Sequence, residues 1–239
     1  MSEAYDPDNL LDRHTPRSTM ELQYEHTRVR EAELLRERLG MQGGDVLSVG
    51  CGWNPGRHVF PSPAWRMTGV DLEEERPRIL VAEGKLDDGL AGRAGELPLE
   101  PGSFDVVLYR LVLHHVVFQG PLGPIFEEAA RLLRPGGALV AVEPGSLHPV
   151  GAGLSVANAL GLGKAVHGTP DDIPLSPRTL TGEARAAGLT PELHAVTYTW
   201  RRMAPALQRA LWPLDRALGS RPRAASLGHT LMLIARRSF

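Results

Sequence analysis

Apolar positions along this chain follow two rhythms. Short, nearly unbroken apolar runs read as strands buried on both faces: DVLSVG at 45–50, RMTGVDL at 66–72, SFDVVLYR at 103–110 and ALVAVE at 138–143. GLAGRA at 89–94 is a weaker run of the same kind. Between them lie amphipathic stretches. In residues 17–39, Leu22, Val29, Leu34, Leu35 and Leu39 make a loose apolar stripe that Gly40 ends, which predicts a charged helix. Residues 74–86 predict a helix with Pro77 in its first turn, and residues 122–134 one stopped by Pro-Gly-Gly. PGRHVF, 55–60, leaves room for only a short helix before Pro61 and Pro63 break it.

Strand and helix alternate at short spacing up to residue 144, so the expected class is α/β, a parallel sheet with helices on both faces. The rhythm then changes. Residues 144–176 are rich in glycine, proline and small side chains and read as an insertion with one helix near 151–160. Ser176 and Pro177 open the next helix, which Gly188 ends. ELHAVTYTW at 192–200 is a strand, residues 201–225 a second insertion with one or two helices, and HTLMLIARR at 229–237 a closing strand. The expected organisation is an N-terminal tail and lid helix over 1–40, then one domain over 41–239 with cap insertions at 144–176 and 201–225.

Composition narrows the function classes. The 239 residues are 42% hydrophobic and 23% charged, as in an ordinary globular domain. A net charge of −2 offers no basic face for nucleic acid. The single cysteine, Cys51, excludes an internal disulfide and a cysteine-based zinc cluster. MSEAYDPDNLLDRH is too polar for a signal peptide, and no run reaches the roughly 18 apolar residues of a membrane span. The expectation is a soluble cytoplasmic protein, monomer or homodimer, acting on a small molecule and not on nucleic acid or membrane.

The chemistry begins at the end of the first strand, in VLSVGCGWNPG. Gly50 and Gly52 let a backbone pass close to a ligand at the carboxyl end of a parallel sheet. The dinucleotide fingerprint G-x-G-x-x-G is not met, because the run is G-C-G-W-N-P-G, which argues against NAD. Asp71 ends the second strand, where an acidic side chain is placed to accept from ribose hydroxyls.

With RAGELPLEPGSFDVVLYRLVLHHV (93–116) and EEAARLLRPGGALVAVEPG (127–145), this pattern resembles the class I S-adenosylmethionine (SAM) dependent methyltransferases, small-molecule group. The resemblance covers about 45–145 in four ordered segments. It implies a Rossmann-like, seven-stranded, mostly parallel sheet of order 3-2-1-4-5-7-6 with small helical caps. It implies SAM as cofactor and methyl transfer to an oxygen or nitrogen of a small molecule, a sugar moiety or secondary metabolite being favoured. Carried over by position, Gly50, Cys51 and Gly52 underlie the methionine part, Asp71 holds the ribose, Leu72 and Ala94 flank the adenine, and Tyr109, Arg110 and His115 stand near the sulfonium. Three positions depart from the family pattern: Ser48 and Arg93 replace acidic residues, and Asn54 replaces the third glycine. These three are expected to line the cofactor in altered form. Two other readings stay open, a SAM-fold protein catalysing a non-methylating cyclisation or rearrangement, and a non-catalytic partner with a degenerate site.

Other candidates carry two readings each. His114 and His115 follow the fourth strand; one could take the proton of a hydroxyl or amine nucleophile, or they pack and satisfy backbone. Arg110 could hold an anionic group, or form an ion pair with Asp71 or Glu143. His167, Asp171 and Asp172 in HGTPDD, with His148, could bind a polar substrate, and the first three a divalent metal; the alternative is an Asp-rich turn. No metal is the base expectation. Tyr198, Trp200, Met203 and Trp212 wall an aromatic pocket, make a dimer face or are partly core. The first helix, with Tyr24 and Arg28, is a lid or an ordinary solvated helix.

Overall fold

The structure is a computed structural model that describes residues 14–164 and 172–238. In chain order the elements are α1 (Arg17–Leu39), β1 (Gly44–Val49), β2 (Trp65–Asp71), α2 (Glu75–Ala82), β3 (Asp88–Ala91), β4 (Phe104–Arg110), α3 (Leu113–Gln119), α4 (Gly123–Leu132), β5 (Leu133–Pro144), α5 (Pro149–Ala159), α6 (Pro177–Ala186), β6 (Leu189–Thr197), α7 (Pro205–Leu218), α8 (Pro222–Ala225) and β7 (Thr230–Arg237). The seven strands form one sheet of order β3-β2-β1-β4-β5-β7-β6. Pairings from β3 to β5 are parallel, and β7 runs antiparallel to both neighbours.

The apolar runs form central strands because both faces are covered. Leu47, Val49, Val107 and Tyr109 point into one core cluster with Phe126 and Leu132 of α4. Val46, Val106 and Leu108, the alternate positions, point into the other with Leu34, Leu35, Leu39, Phe60 and Trp65. In α4, Ile125, Phe126, Ala129 and Leu132 recur at helical spacing and are all buried. Truncating Phe126 to alanine there is expected to cost about 3–5 kcal/mol.

Four local expectations are revised. No helix follows the glycine loop: Gly56 takes φ +98°, a single turn brings Val59 N–H and Phe60 N–H to the Gly56 carbonyl, and Phe60 plugs the second core against Trp65 at 5.0 Å. Pro61 leaves too little chain for more. With no helix there, no helix N-terminus faces a pyrophosphate, which strengthens the argument against NAD.

LVLHHVVFQG, for which the sequence pattern predicts no element, holds α3. Its start has no local side-chain cap. The Glu143 carboxylate on β5 accepts instead from Val112 N–H at 3.0 Å and Leu113 N–H at 2.8 Å. A cap supplied from thirty residues away leaves no local signature.

β5 also begins earlier than expected, at Leu133, running through the Pro-Gly-Gly. Finally, α1 is not an ordinary solvated helix. Its buried face carries Gln23, Arg30 and Glu31 beside Met20, Leu34 and Leu35, whereas Val29 of the expected stripe is 44% exposed. Gln23 Nε2 donates to Thr197 Oγ1 at 3.2 Å, Thr199 Oγ1 donates to Gln23 Oε1 at 2.8 Å, and Trp212 Nε1 donates to the same oxygen at 3.2 Å. His26 stacks on Trp212 at 4.1 Å and meets buried Asp215 at 2.7 Å. A helix fastened by that many satisfied polar groups is part of the wall.

Candidate active site

Two cavities open at the carboxyl end of the sheet. The first, of about 580 Å³, lies over the ends of β1, β2 and β4 and is lined by Gly50, Gly52, Asp71, Leu72, Arg93 and Ala94 among others. Its floor is backbone. Gly50 and Gly52 take φ of +64° and +50°, where a side chain is strained. A Cβ on Gly50 would run into Val112, while above Gly52 the space is open for 4 Å. Asp71 Oδ2 accepts Gly52 N–H at 2.9 Å and Oδ1 accepts Glu73 N–H at 3.2 Å, with Arg76 at 3.5 Å. The carboxylate thus sits at the cavity edge, held by the loop it helps to shape.

The second cavity, of about 350 Å³, is built from distant segments: α1, the end of β4, α3, the two caps and the start of β7. Its wall holds paired charges. Arg110 forks Glu31 through Nε at 2.8 Å and Nη2 at 3.3 Å, and His58 Nε2 meets the same carboxylate at 2.8 Å. Burial alone would raise the Glu31 pKa, but Arg110 and His58 outweigh it and hold the carboxyl at about 2. His114 Nδ1 lies 2.6 Å from Glu143 Oε2, and its Nε2 lies 3.8 Å from Asp172 Oδ1. His229 on the same wall is pushed down to about 3 by burial, then by His148, Arg201 and Arg202. It stays a neutral imidazole at physiological pH. The two cavities meet at Leu111 and His115, which line both.

Residues 47–141 match the protein family described as Methyltransferase domain. This strand order, with its antiparallel seventh strand, is the one that the resemblance to the class I methyltransferases implies. Residues 47–141 are thus similar to a methyltransferase domain. Among curated proteins, a "Probable S-adenosylmethionine-dependent methyltransferase" of Mycolicibacterium smegmatis is 33% identical over 58% of this chain and 55% of its own length. The 27-O-demethylrifamycin SV methyltransferase of Amycolatopsis mediterranei is 31% identical over 70% of this chain and 62% of its own. The chain therefore spans less than two thirds of either relative. Among solved structures, a SAM-dependent methyltransferase of Thermotoga maritima, described as a possible histamine N-methyltransferase, superposes with TM-score 0.62 at 17% identity, over 90% of this chain and 95% of that one.

Within this methyltransferase fold, the expected donor residues divide. Gly50, Gly52, Asp71, Leu72, Arg93 and Ala94 line the first cavity. Four others do not. Cys51 is buried, and burial, with Asp71 beside it, pushes its thiol up to about 12. Ser48 is 3% exposed and falls by alternation on the Val46 face. Asn54 donates to the Tyr24 hydroxyl at 2.9 Å and accepts from Gly56 N–H at 3.4 Å, tying the loop to α1. Tyr109 is core, its hydroxyl donating to the Ile125 carbonyl at 3.3 Å.

The acceptor candidates divide too. Arg110, His114, His115 and Asp172 line the second cavity. Arg110 pairs with neither Asp71 nor Glu143 but with Glu31, because α1 lies across the end of β4. His148 packs behind His229, ring to ring at 5.0 Å, and contacts the Tyr198 carbonyl at 3.1 Å. The Tyr198 hydroxyl is buried and pushed up to about 12 by burial and Asp215. His167 and Asp171 lie outside the described residues, and among those described no group of three His, Cys, Asp or Glu side chains could hold a metal. Sequence reading missed Glu31, His229 and Leu111 as wall residues, and Glu143 as the buried partner of His114. Only Glu143, the acidic end of a strong strand, carried any signal.

Proposed function

We propose that this chain transfers the methyl group of SAM to an oxygen or nitrogen of a small molecule, with a hydroxyl of a sugar moiety or secondary metabolite as the favoured acceptor. The observation that carries this is the pair of cavities meeting at Leu111 and His115, one floored by glycines beside Asp71, the other holding an oriented histidine. The donor cavity suits SAM: no Cβ obstructs Gly52, Asp71 offers an acceptor, and the volume is that of a cofactor site. When bound, SAM supplies an electrophilic sulfonium methyl.

The chain's part is to align, to exclude water and to take one proton. Glu143 accepts the His114 Nδ1 proton, which leaves Nε2 to take the proton of an acceptor hydroxyl, and the Asp172 carboxylate at 3.8 Å would stabilise the imidazolium that forms. That is the arrangement a general base for a hydroxyl nucleophile needs. The relative named for O-methyl chemistry on demethylrifamycin favours oxygen over nitrogen. Among the described residues no helix is long and apolar enough to cross a membrane. We further infer an enzyme acting in the cytoplasm as a monomer or homodimer.

Isothermal calorimetry with SAM and S-adenosylhomocysteine tests the donor site, with dissociation constants expected between about 1 μM and 1 mM. Label from methyl-labelled SAM should then reach hydroxyl compounds of a phenol and sugar panel. No heat with either nucleoside overturns the proposal in favour of a non-catalytic partner. Binding, with label recovered from no acceptor in a full extract of small molecules, turns it toward a non-methylating reaction.

A further inference from the structure

Leu111 stands at the junction of the two cavities, in a conformation leucine avoids. Its φ is +56°, and among the described residues it is the only non-glycine at positive φ. A bulky side chain there is a real outlier, costly enough to persist only where its surroundings over-determine it. The surroundings do so on both sides. Leu111 N–H donates to the Val142 carbonyl at 2.8 Å, in step with the β4–β5 ladder. The next two N–H groups, of Val112 and Leu113, are taken by Glu143. Val112 is wedged against Gly50. The backbone has no freedom to relax, so a glycine or asparagine would suit the position better on conformational grounds. Leucine is there nonetheless, with its side chain 42% exposed and so contributing little to the core.

We propose that Leu111 is a specificity-determining partition. The strained turn projects its side chain between the donor and acceptor cavities, where it walls the donor's reactive end and keeps water off the line between the two sites. The inference rests on the methyl-transfer reading, since it assigns the two cavities to donor and acceptor. It explains why a poorly suited residue occupies this turn: the side chain is needed where the backbone must be left-handed. Water exclusion at that point favours transfer to the acceptor over solvent chemistry. The strain is stored where the two ligands meet, as it is at other functional sites.

The test compares wild type with Leu111→Gly and Leu111→Ala, using SAM and S-adenosylhomocysteine as probes and thermal unfolding as the second readout. Glycine removes both the side chain and the strain, whereas alanine removes the side chain and keeps most of the strain. The partition predicts SAM binding about tenfold weaker in both variants, with Tm unchanged or a few degrees higher for Leu111→Gly and lower for Leu111→Ala. A Leu111→Gly protein that unfolds several degrees below wild type shows a merely structural leucine and overturns the inference. So does a Leu111→Gly protein of full stability that binds SAM as wild type does; in both cases the methyl-transfer reading survives. If wild type itself binds neither probe, that reading falls and the partition falls with it.

Discussion

The two sides of the proposed active site, donor and acceptor, are built on different principles. The donor side is backbone: Gly50 and Gly52 at positive φ, strand ends, and one carboxylate, Asp71, bonded to the loop it borders. The floor comes from the ends of β1 and β2, while His115 and Val116 of α3 and Ile125 of α4 close the cavity from above. The acceptor side is side chains gathered from α1, β4, β5, β7 and both caps, held by Arg110–Glu31, His114–Glu143 and the Gln23–Thr199–Trp212 network. A floor of backbone is intolerant of any added atom and carries no titrating group of its own. A site of paired buried charges tolerates change of shape poorly in another way, since removing one partner strands the other.

The largest effect should come from splitting the buried pair. Glu31→Leu leaves Arg110 and His58 without their carboxylate and is expected to cost about 3–5 kcal/mol in urea unfolding, while the double variant with Arg110→Met recovers much of it. SAM affinity should move only a few-fold, because the donor floor is untouched. A collapse of SAM binding in that variant would show that the two sides are not separable.

On the donor side, Gly50→Ala forces a Cβ against Val112 at φ +64°. Strain and overpacking together, about 3 kcal/mol, should weaken SAM binding by roughly 100-fold in calorimetry. Gly52→Ala meets no protein atom and should spare Tm more than Gly50→Ala does, though it too intrudes on the donor.

Glu143→Gln probes the acceptor side most directly, with a smaller loss of SAM affinity expected beside it, because Glu143 also holds the Val112 N–H. The amide cannot accept from both backbone and imidazole as a carboxylate does, so turnover of a hydroxyl acceptor should fall on the order of 100-fold and the acid limb of the pH–rate profile should move. Unchanged turnover would remove His114 from the proton path.

The smallest effect is a slope. His229 is neutral when folded down to about pH 3, whereas its ordinary value is 6.5. Below 6.5 the unfolded chain therefore binds the extra proton, and stability declines as pH falls from 6.5 toward 3. Glu31 adds a second loss between its ordinary 4.5 and about 2; its folded form resists protonation as that of His229 does, but because Arg110 and His58 hold the carboxylate charged and not because burial keeps it neutral. Both groups lie on the acceptor side. His229→Gln should flatten the upper part of the acid limb in pH-dependent urea unfolding and leave the lower part, owed to Glu31, in place.

The same division governs what could be read in advance. The strand runs, α4, the Ser176 cap and the glycine floor were legible because they are written in local period and turn chemistry. Ser176 Oγ accepts Thr179 N–H at 2.9 Å, as its position before Pro177 implies. The helix after the glycine loop was wrongly expected, because Phe60 finds a better place in the core beside Trp65 than a short helix would give it. The α1 stripe was misassigned because its inward face is polar, and polar residues signal burial only once their partners are known.

What the sequence by itself determined is the sheet, its order through the family resemblance, and the backbone half of the site; these depend on neighbours two to four residues away. What only the tertiary structure decided is which charges pair, where α3 is capped and why Leu111 is left-handed. Each depends on a partner some thirty to eighty residues off, as Val112 with Glu143 and Arg110 with Glu31 show. Long-range pairing leaves no period in the chain, because the free energy of a buried carboxylate is set by what folds against it and not by what precedes it.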